Sequence, residues 1–345
     1  MDPSGVIDPL AVPDWDARIA AFPAASFFHT QAWARVLRGA YGFKTHAMVE
    51  GPADRPTAIL PFVEVDSRLT GRRGVSLPFS DVCDILFHEP DQGRRLVERV
   101  IGHGRTRHWK YWEGRGGHDL FPAEPGSTTF FGHHLDLSPG HEAIRRNFDE
   151  STRRAIRKAE KCGVVVEFSR ELEDVRAFHQ LLGLTRRRHG MPVQPFEFFR
   201  QIRENVLSRG LGWVALARHQ GRPVAGAVYF LQGRAAVYKF GASDEREQTL
   251  RGNNLVMARA IEKFCADGLM LLDFGRTSAA NDGLRRFKLS WGAREHPIGY
   301  LRFRYSAGAY VASPDQSAGW PQRVFRFAPL FLSRLVGRIV YKHLS

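Results

Sequence analysis

The densest group of residues able to do chemistry lies between positions 272 and 293. Asp273, Gly275 and Arg276 end an apolar run there, and Arg285, Arg286, Phe287, Lys288, Trp291 and Gly292 follow closely. The charge of a lysine between two aromatic residues can be held beside a developing oxyanion or a phosphate. Taken singly, such a lysine reads first as a surface residue between two core rings. Upstream, Gly252, Asn253 and Asn254 stand where a helix should begin, and the open amides and positive dipole of a helix start suit a phosphate. The plainer reading of those residues is a turn and a cap. Asp81 and Asp84 flank Cys83. Cys83, between them, has no histidine within motif distance and reads as a small buried residue.

Asp273-Phe274-Gly275 invites a kinase reading, but no glycine-rich loop, V-A-I-K strand or H-R-D segment precedes it. Three dispersed cysteines, Cys83, Cys162 and Cys265, support neither a disulfide framework nor a zinc site. His133 and His134 are adjacent and would face opposite sides of a strand, so no metal site is expected. The net charge of +14 over 345 residues points to an anionic partner. Arg145, Arg146, Arg153, Arg154, Arg157, Lys158 and Lys161, with the patch from Arg186 to His189, form a basic surface suited to an anionic partner such as RNA or a phosphorylated donor. A solvated helix face is the alternative.

Apolar periodicity and turn residues define the elements that must position these groups. In the first part the pattern predicts a helix over 31–39, an apolar run over 58–65 broken by Pro61, a helix over 89–101 and a strand at 111–112. Residues 114–126 read as loop. One long basic helix is expected over 141–161, stopped by Gly163, then a strand over 164–167 and helices over 171–188 and 196–207. Strands are expected at 213–217, 224–231 and 235–240, the first two joined by a hairpin at Gln220-Gly221-Arg222. A helix over 250–266 and a strand over 269–274 complete a mixed sheet flanked by helices, an α/β (α+β) class.

The expected units are 1–140, 141–310 and a tail, 311–345. Within the tail, Arg334, Arg338 and Lys342 oppose Leu332, Leu335, Val336, Ile339 and Val340. This basic amphipathic helix reads either as a peripheral contact with an anionic leaflet or as a terminal helix packed on the core. No apolar stretch is long enough to span a membrane, and Asp2 and Asp8 do not suit a signal peptide. A cytoplasmic chain is expected, and the first reading of the tail would add peripheral contact at the inner membrane face.

Several blocks together resemble the FemAB-like transferases and their relatives with a BioF2-like or CelD-like acetyltransferase domain, within the GNAT superfamily. They are the run Phe27, Phe28, His29, Thr30, Gln31, Ala32, Trp33; the helix Arg153, Arg154, Ile156, Arg157, Lys158, Ala159, Glu160 with Gly163; Thr185, Arg188, Gly190; Asn253, Asn254; and Asp273 to Arg276 with Phe287, Lys288, Trp291, Gly292. The resemblance runs from Phe27 to Tyr305, and its last block is the most diagnostic. It implies two tandem GNAT-like units and transfer of an aminoacyl group from aminoacyl-tRNA to an amine of an anionic cell-envelope precursor. No metal and no permanently bound cofactor are implied.

By that resemblance Lys288 sits at the reaction centre, and Asp81 or Asp84 is the catalytic carboxylate. The expected substrate contacts are Arg154, Arg157, Lys158, Arg188, Tyr238, Phe240, Asn253, Asn254, Arg276, Phe287 and Trp291. GNAT acyl-CoA enzymes carry a Gln/Arg-x-x-Gly-x-Gly/Ala loop between strand and helix. Here Thr249, Gly252 and Asn254 occupy it, and Asn254 hinders close approach to a pyrophosphate, which weighs against acyl-CoA without excluding it. The chemistry is aminolysis of an ester or thioester, needing a neutral amine, oxyanion stabilisation and a proton for the leaving group. The competing readings are an acyl-CoA-dependent N-acetyltransferase of exopolysaccharide biosynthesis and a non-catalytic RNA-binding or membrane-associated assembly factor.

Overall fold

The structure, a computed structural model, describes residues 5–52, 54–67, 70–313, 336–337, 341 and 343. Its described residues divide into two compact units, the first within 5–130, 297–313, 341 and 343, the second within 131–296 and 336–337. Each unit is a mixed sheet flanked by helices.

The first unit contains β1 (Val6–Ile7), α1 (Trp15–Ile19), α2 (Gln31–Tyr41), β2 (Thr45–Glu50), β3 (Ala58–Ser67), β4 (Gly71–Val75), β5 (Leu86–Phe87), α3 (Pro90–Thr106) and β6 (Tyr111–Gly117). Its sheet runs β1-β2-β3-β4-β6 and is antiparallel except for the β4/β6 pair; the strand Arg294–Arg304 pairs antiparallel with β6. Helix α2 starts where the Thr30 hydroxyl accepts the Trp33 amide and stops at left-handed Gly42. Pro90 at the first turn and a Glu89/Gln92 capping box start α3. Leu96, Val97, Val100 and Ile101 of α3 pack on Leu60, Phe62 and Trp112 of the sheet.

The second unit contains β7 (Thr129–Asp136), α4 (His141–Arg146), α5 (Glu150–Lys161), β8 (Val165–Ser169), α6 (Leu172–Arg188), α7 (Phe196–Asn205), β9 (Gly212–His219), β10 (Arg222–Gln232), β11 (Ala235–Ser243), α8 (Gly252–Ala266), β12 (Leu271–Asp273) and α9 (Asp282–Leu289). Its sheet order is β7-β12-β11-β10-β9-β8, with β11 and β12 parallel and the other pairs antiparallel. Gln220 and Gly221 both take positive φ in the β9–β10 turn, which matches the twist of the strands it joins.

Two local expectations are corrected. The helix expected over 141–161 is two helices, because the chain leaves α4 to bury Phe148 against Trp291, and the Asp149 amide donates to the Ser290 carbonyl at 2.9 Å before α5 begins. The start of the segment expected to be loop, Gly114 to Gly117, is β6. Its glycines are needed for close approach: a Cβ on Gly116 would lie 1.9 Å from Asp84 Oδ1. The amphipathic tail falls almost entirely outside the described residues. Among the described residues no helix is long and apolar enough to cross a membrane.

Candidate active site

A pocket of about 740 Å³ opens in the second unit between α5, the start of α8 and α9. Thr152, Ile156 and Ala159 bury one face of α5, and this turns Arg154, Ala155 and Lys158 toward the pocket. Arg251 and Asn254 contribute from the start of α8, and Arg286, Phe287 and Leu289 from α9. Arg154 is paired with Glu150 at 2.6 Å, whereas Lys158, Arg251 and Arg286 have no carboxylate partner among the described residues. Arg251 holds a left-handed backbone (φ 58°) before α8 and gives it no side-chain cap, so the positive end of a fifteen-residue helix adjoins these cations. A dianionic phosphate would find both donors and compensating charge here. Gly252 has a packing cause, since a Cβ there would stand 3.0 Å from that of Ala225.

Lys288 is on the buried side of α9. Its ammonium donates to the Gly275 carbonyl at 2.7 Å and the Arg276 carbonyl at 3.2 Å. Asp273 Oδ1 accepts the Gly275 amide at 2.7 Å, so the turn after β12 is gripped from both sides. This turn lies where the sheet parts: β11 and β12 pair only from Ala235↔Leu271 to Val237↔Asp273, and β11 bulges at Lys239 against β10. Below the lysine, buried His133 contacts Glu295 at 3.0 Å, and Glu295 also accepts two bonds from Arg285. Burial and the nearby Lys288 ammonium push the His133 pKa down to about 4.

The structure therefore brings Arg154, Lys158, Asn254 and Phe287 together in one pocket, whereas Lys288 and Arg276, bonded to each other through the Arg276 carbonyl, do not line it. Arg157 and Asn253 are exposed on α5 and α8 and do not line it. Phe240 packs on Phe198 and Phe199 of α7. Tyr238 lies between Tyr229 and Phe274, and burial raises its phenol to about 12. Trp291 is buried between Phe148 and Phe287, and Arg188, at the end of α6, meets the His189 ring.

Asp81 and Asp84 belong to the first unit. The Asp81 carbonyl accepts the Tyr300 hydroxyl. Asp84 Oδ1 accepts the Gly117 amide at 3.2 Å; burial, opposed by that bond and assisted by Asp119, lifts its pKa to about 6.

Sequence reasoning missed Arg251 and Arg286 as pocket residues, although both stood inside singled-out segments. It named His29 but did not place it near Cys83, although His29 Nε2 is 3.7 Å from Cys83 Sγ. That ring is committed elsewhere: Nε2 donates to the Asp84 carbonyl at 2.9 Å and Nδ1 accepts the Ser26 amide at 3.0 Å. Burial lowers the His29 pKa and raises that of Cys83, which disfavours a thiolate–imidazolium pair. Among the described residues no group of three or more His, Cys, Asp or Glu could hold a metal ion.

Residues 146–295 match the family described as an acetyltransferase (GNAT) domain. No curated protein matches the chain in sequence. Among solved structures, FemX is similar over 85% of this chain and 95% of its own, with TM-score 0.65 and 13% identity. The C-terminal domain of a candidate lysylphosphatidylglycerol synthetase from Agrobacterium fabrum is similar over 81% of this chain and 89% of its own, at TM-score 0.55 and 14% identity. A tandem GNAT protein from the clavulanic acid biosynthesis pathway covers 84% of this chain and 94% of its own, at TM-score 0.55 and 11% identity. At such identities the likeness is one of fold, and it extends over both units.

Proposed function

We propose that this chain, whose residues 146–295 match an acetyltransferase (GNAT) domain and whose fold is similar to that of FemX, forms amides by moving an aminoacyl group from aminoacyl-tRNA to an amine of an anionic cell-envelope precursor. The observation that carries this reading is the convergence of Lys158, Arg251 and Arg286, all without carboxylate partners among the described residues, on the start of α8. Cations so arranged hold phosphates, and the exposed Arg157 and Lys161 extend the basic surface of α5 beyond the pocket, as a polyanion larger than a nucleotide requires.

Aminolysis also needs a proton acceptor for the acceptor ammonium. Asp84 is a candidate: burial lifts its carboxyl to about 6, close to where a base working at physiological pH should titrate. A second reading, an acyl-CoA donor in an N-acetyltransferase reaction, is favoured by the acetyltransferase description of the matching family.

Titration with aminoacyl-tRNA and with acetyl-CoA at moderate salt separates the two. Saturable binding of the tRNA with a Kd at or below about 10 µM, roughly −7 kcal/mol, supports the first reading. Binding of acetyl-CoA alone transfers the proposal to the second. Binding of neither contradicts both.

A further inference from the structure

Lys288 is buried to 1% exposure, and its ammonium donates to main-chain oxygens, Gly275 at 2.7 Å and Arg276 at 3.2 Å. Gly275 has φ 68°, a conformation that costs a glycine little, and its amide is fixed from the other side by Asp273 Oδ1 at 2.7 Å. We infer that Lys288 serves the reaction as a positioning residue, clamping the Gly275–Arg276 turn at the place where β11 and β12 part. The geometry supplies the reason. Trans peptides are planar with C=O and N–H pointing in opposite directions, so fixing two successive carbonyls on the lysine fixes the direction of the two peptide planes that present Arg276.

A charged donor to two carbonyls makes stronger hydrogen bonds than a neutral one, and removing it leaves buried oxygens unsatisfied. The helix side of the clamp is itself fixed. Asn281 Oδ1 caps α9 through the Leu284 amide at 3.1 Å, and Phe287 packs edge-on against Trp291. The lysine therefore ties the end of a strand to a helix that also lines the pocket between α5 and the start of α8.

The inference rests on the transfer reading only for its kinetic arm. Amide hydrogen exchange over residues 273–277 of the full chain, without substrate, tests the clamp directly. Lys288→Met, of similar length but without a donor, should exchange there about tenfold faster or more, with the rest of the second unit unchanged. In the kinetic arm, with whichever donor supports turnover, this variant should lower kcat while leaving the pH profile in place, because a clamp exchanges no proton with substrate. Lys288→Gln keeps a donor but no charge, and it should restore part of both the protection and the turnover. Unchanged exchange with turnover abolished would overturn the inference, and so would a protected turn in an inactive Lys288→Gln protein. Either result would put the ammonium itself at the reacting atoms. Absence of turnover in the wild type would contradict the transfer reading and leave the exchange result to decide the clamp.

Discussion

Phe148 stands edge-on to Trp291 with ring centroids 4.9 Å apart, and this contact decides where the basic helix of the pocket begins. The chain breaks after α4 to bury Phe148, and the Asp149 amide then bonds to Ser290 beside the tryptophan. The first turn of α5 is thus fixed against the end of α9.

Phe148→Ala should cost about 3–5 kcal/mol of stability, the range for deleting a buried aromatic ring. Urea unfolding monitored by tryptophan fluorescence measures it. A loss below about 1 kcal/mol, within the usual range of surface substitutions, would show that the contact does not hold α5 in place.

Donor binding should depend steeply on salt. Replacing Lys158 with Ala should weaken binding of a polyanionic donor and lower the slope of log K against log salt by about one, the effect of losing one phosphate contact. Titrations at several salt concentrations give both numbers. An unchanged slope would remove Lys158 from the phosphate site.

Asp84→Asn carries a prediction with opposite signs for activity and stability. In the folded protein its pKa is about 6, above the ordinary 3.8. The unfolded chain therefore releases this proton first, and the group's destabilising effect appears as pH rises from 3.8 and is complete above 6. The asparagine keeps an acceptor for the Gly117 amide and avoids the buried charge. It should melt higher than wild type above pH 6, while turnover falls roughly 10²–10⁴-fold. Wild-type turnover should rise with pH through about 6, and a flat profile would count against Asp84 as the proton acceptor.

His133 gives the complementary case. Its folded pKa, about 4, lies below the ordinary 6.5. The unfolded chain gains the proton first on acidification, so stability is lost as pH falls from 6.5 towards 4. His133→Gln should lose less stability over that window, as thermal melts at pH 7 and pH 4.5 would show. Equal losses would mean that His133 does not titrate as its surroundings dictate.

The second unit was legible from sequence because its strands and helices carry unambiguous periods: β9, β10, β11 and α8 lie where alternation and the three-to-four spacing put them. What local pattern could not reveal depends on distant partners. Residues 147–149 look helical until Trp291 arrives to receive Phe148. Gly114 to Gly117 look like loop until β6 must accommodate Asp84 and pair with the strand Arg294–Arg304. In the site, aromatic neighbours singled out Lys288, but the carbonyls that hold it belong to a turn thirteen residues away. Arg251 and Arg286 lay inside singled-out segments but were not placed at the pocket, because sequence alone does not show which helix end an arginine will meet.

The most direct test of the account pairs Arg251→Glu with Arg286→Glu in one protein and compares its donor binding with that of wild type by calorimetry, after melting curves have confirmed an unchanged fold. Both side chains are exposed, so Tm should change little. If the pocket at the start of α8 holds the donor's phosphates, affinity should fall by at least about 100-fold, the scale of reversing two charges at an anion site. Binding equal to wild type would show that the donor phosphates lie elsewhere and would contradict the central claim.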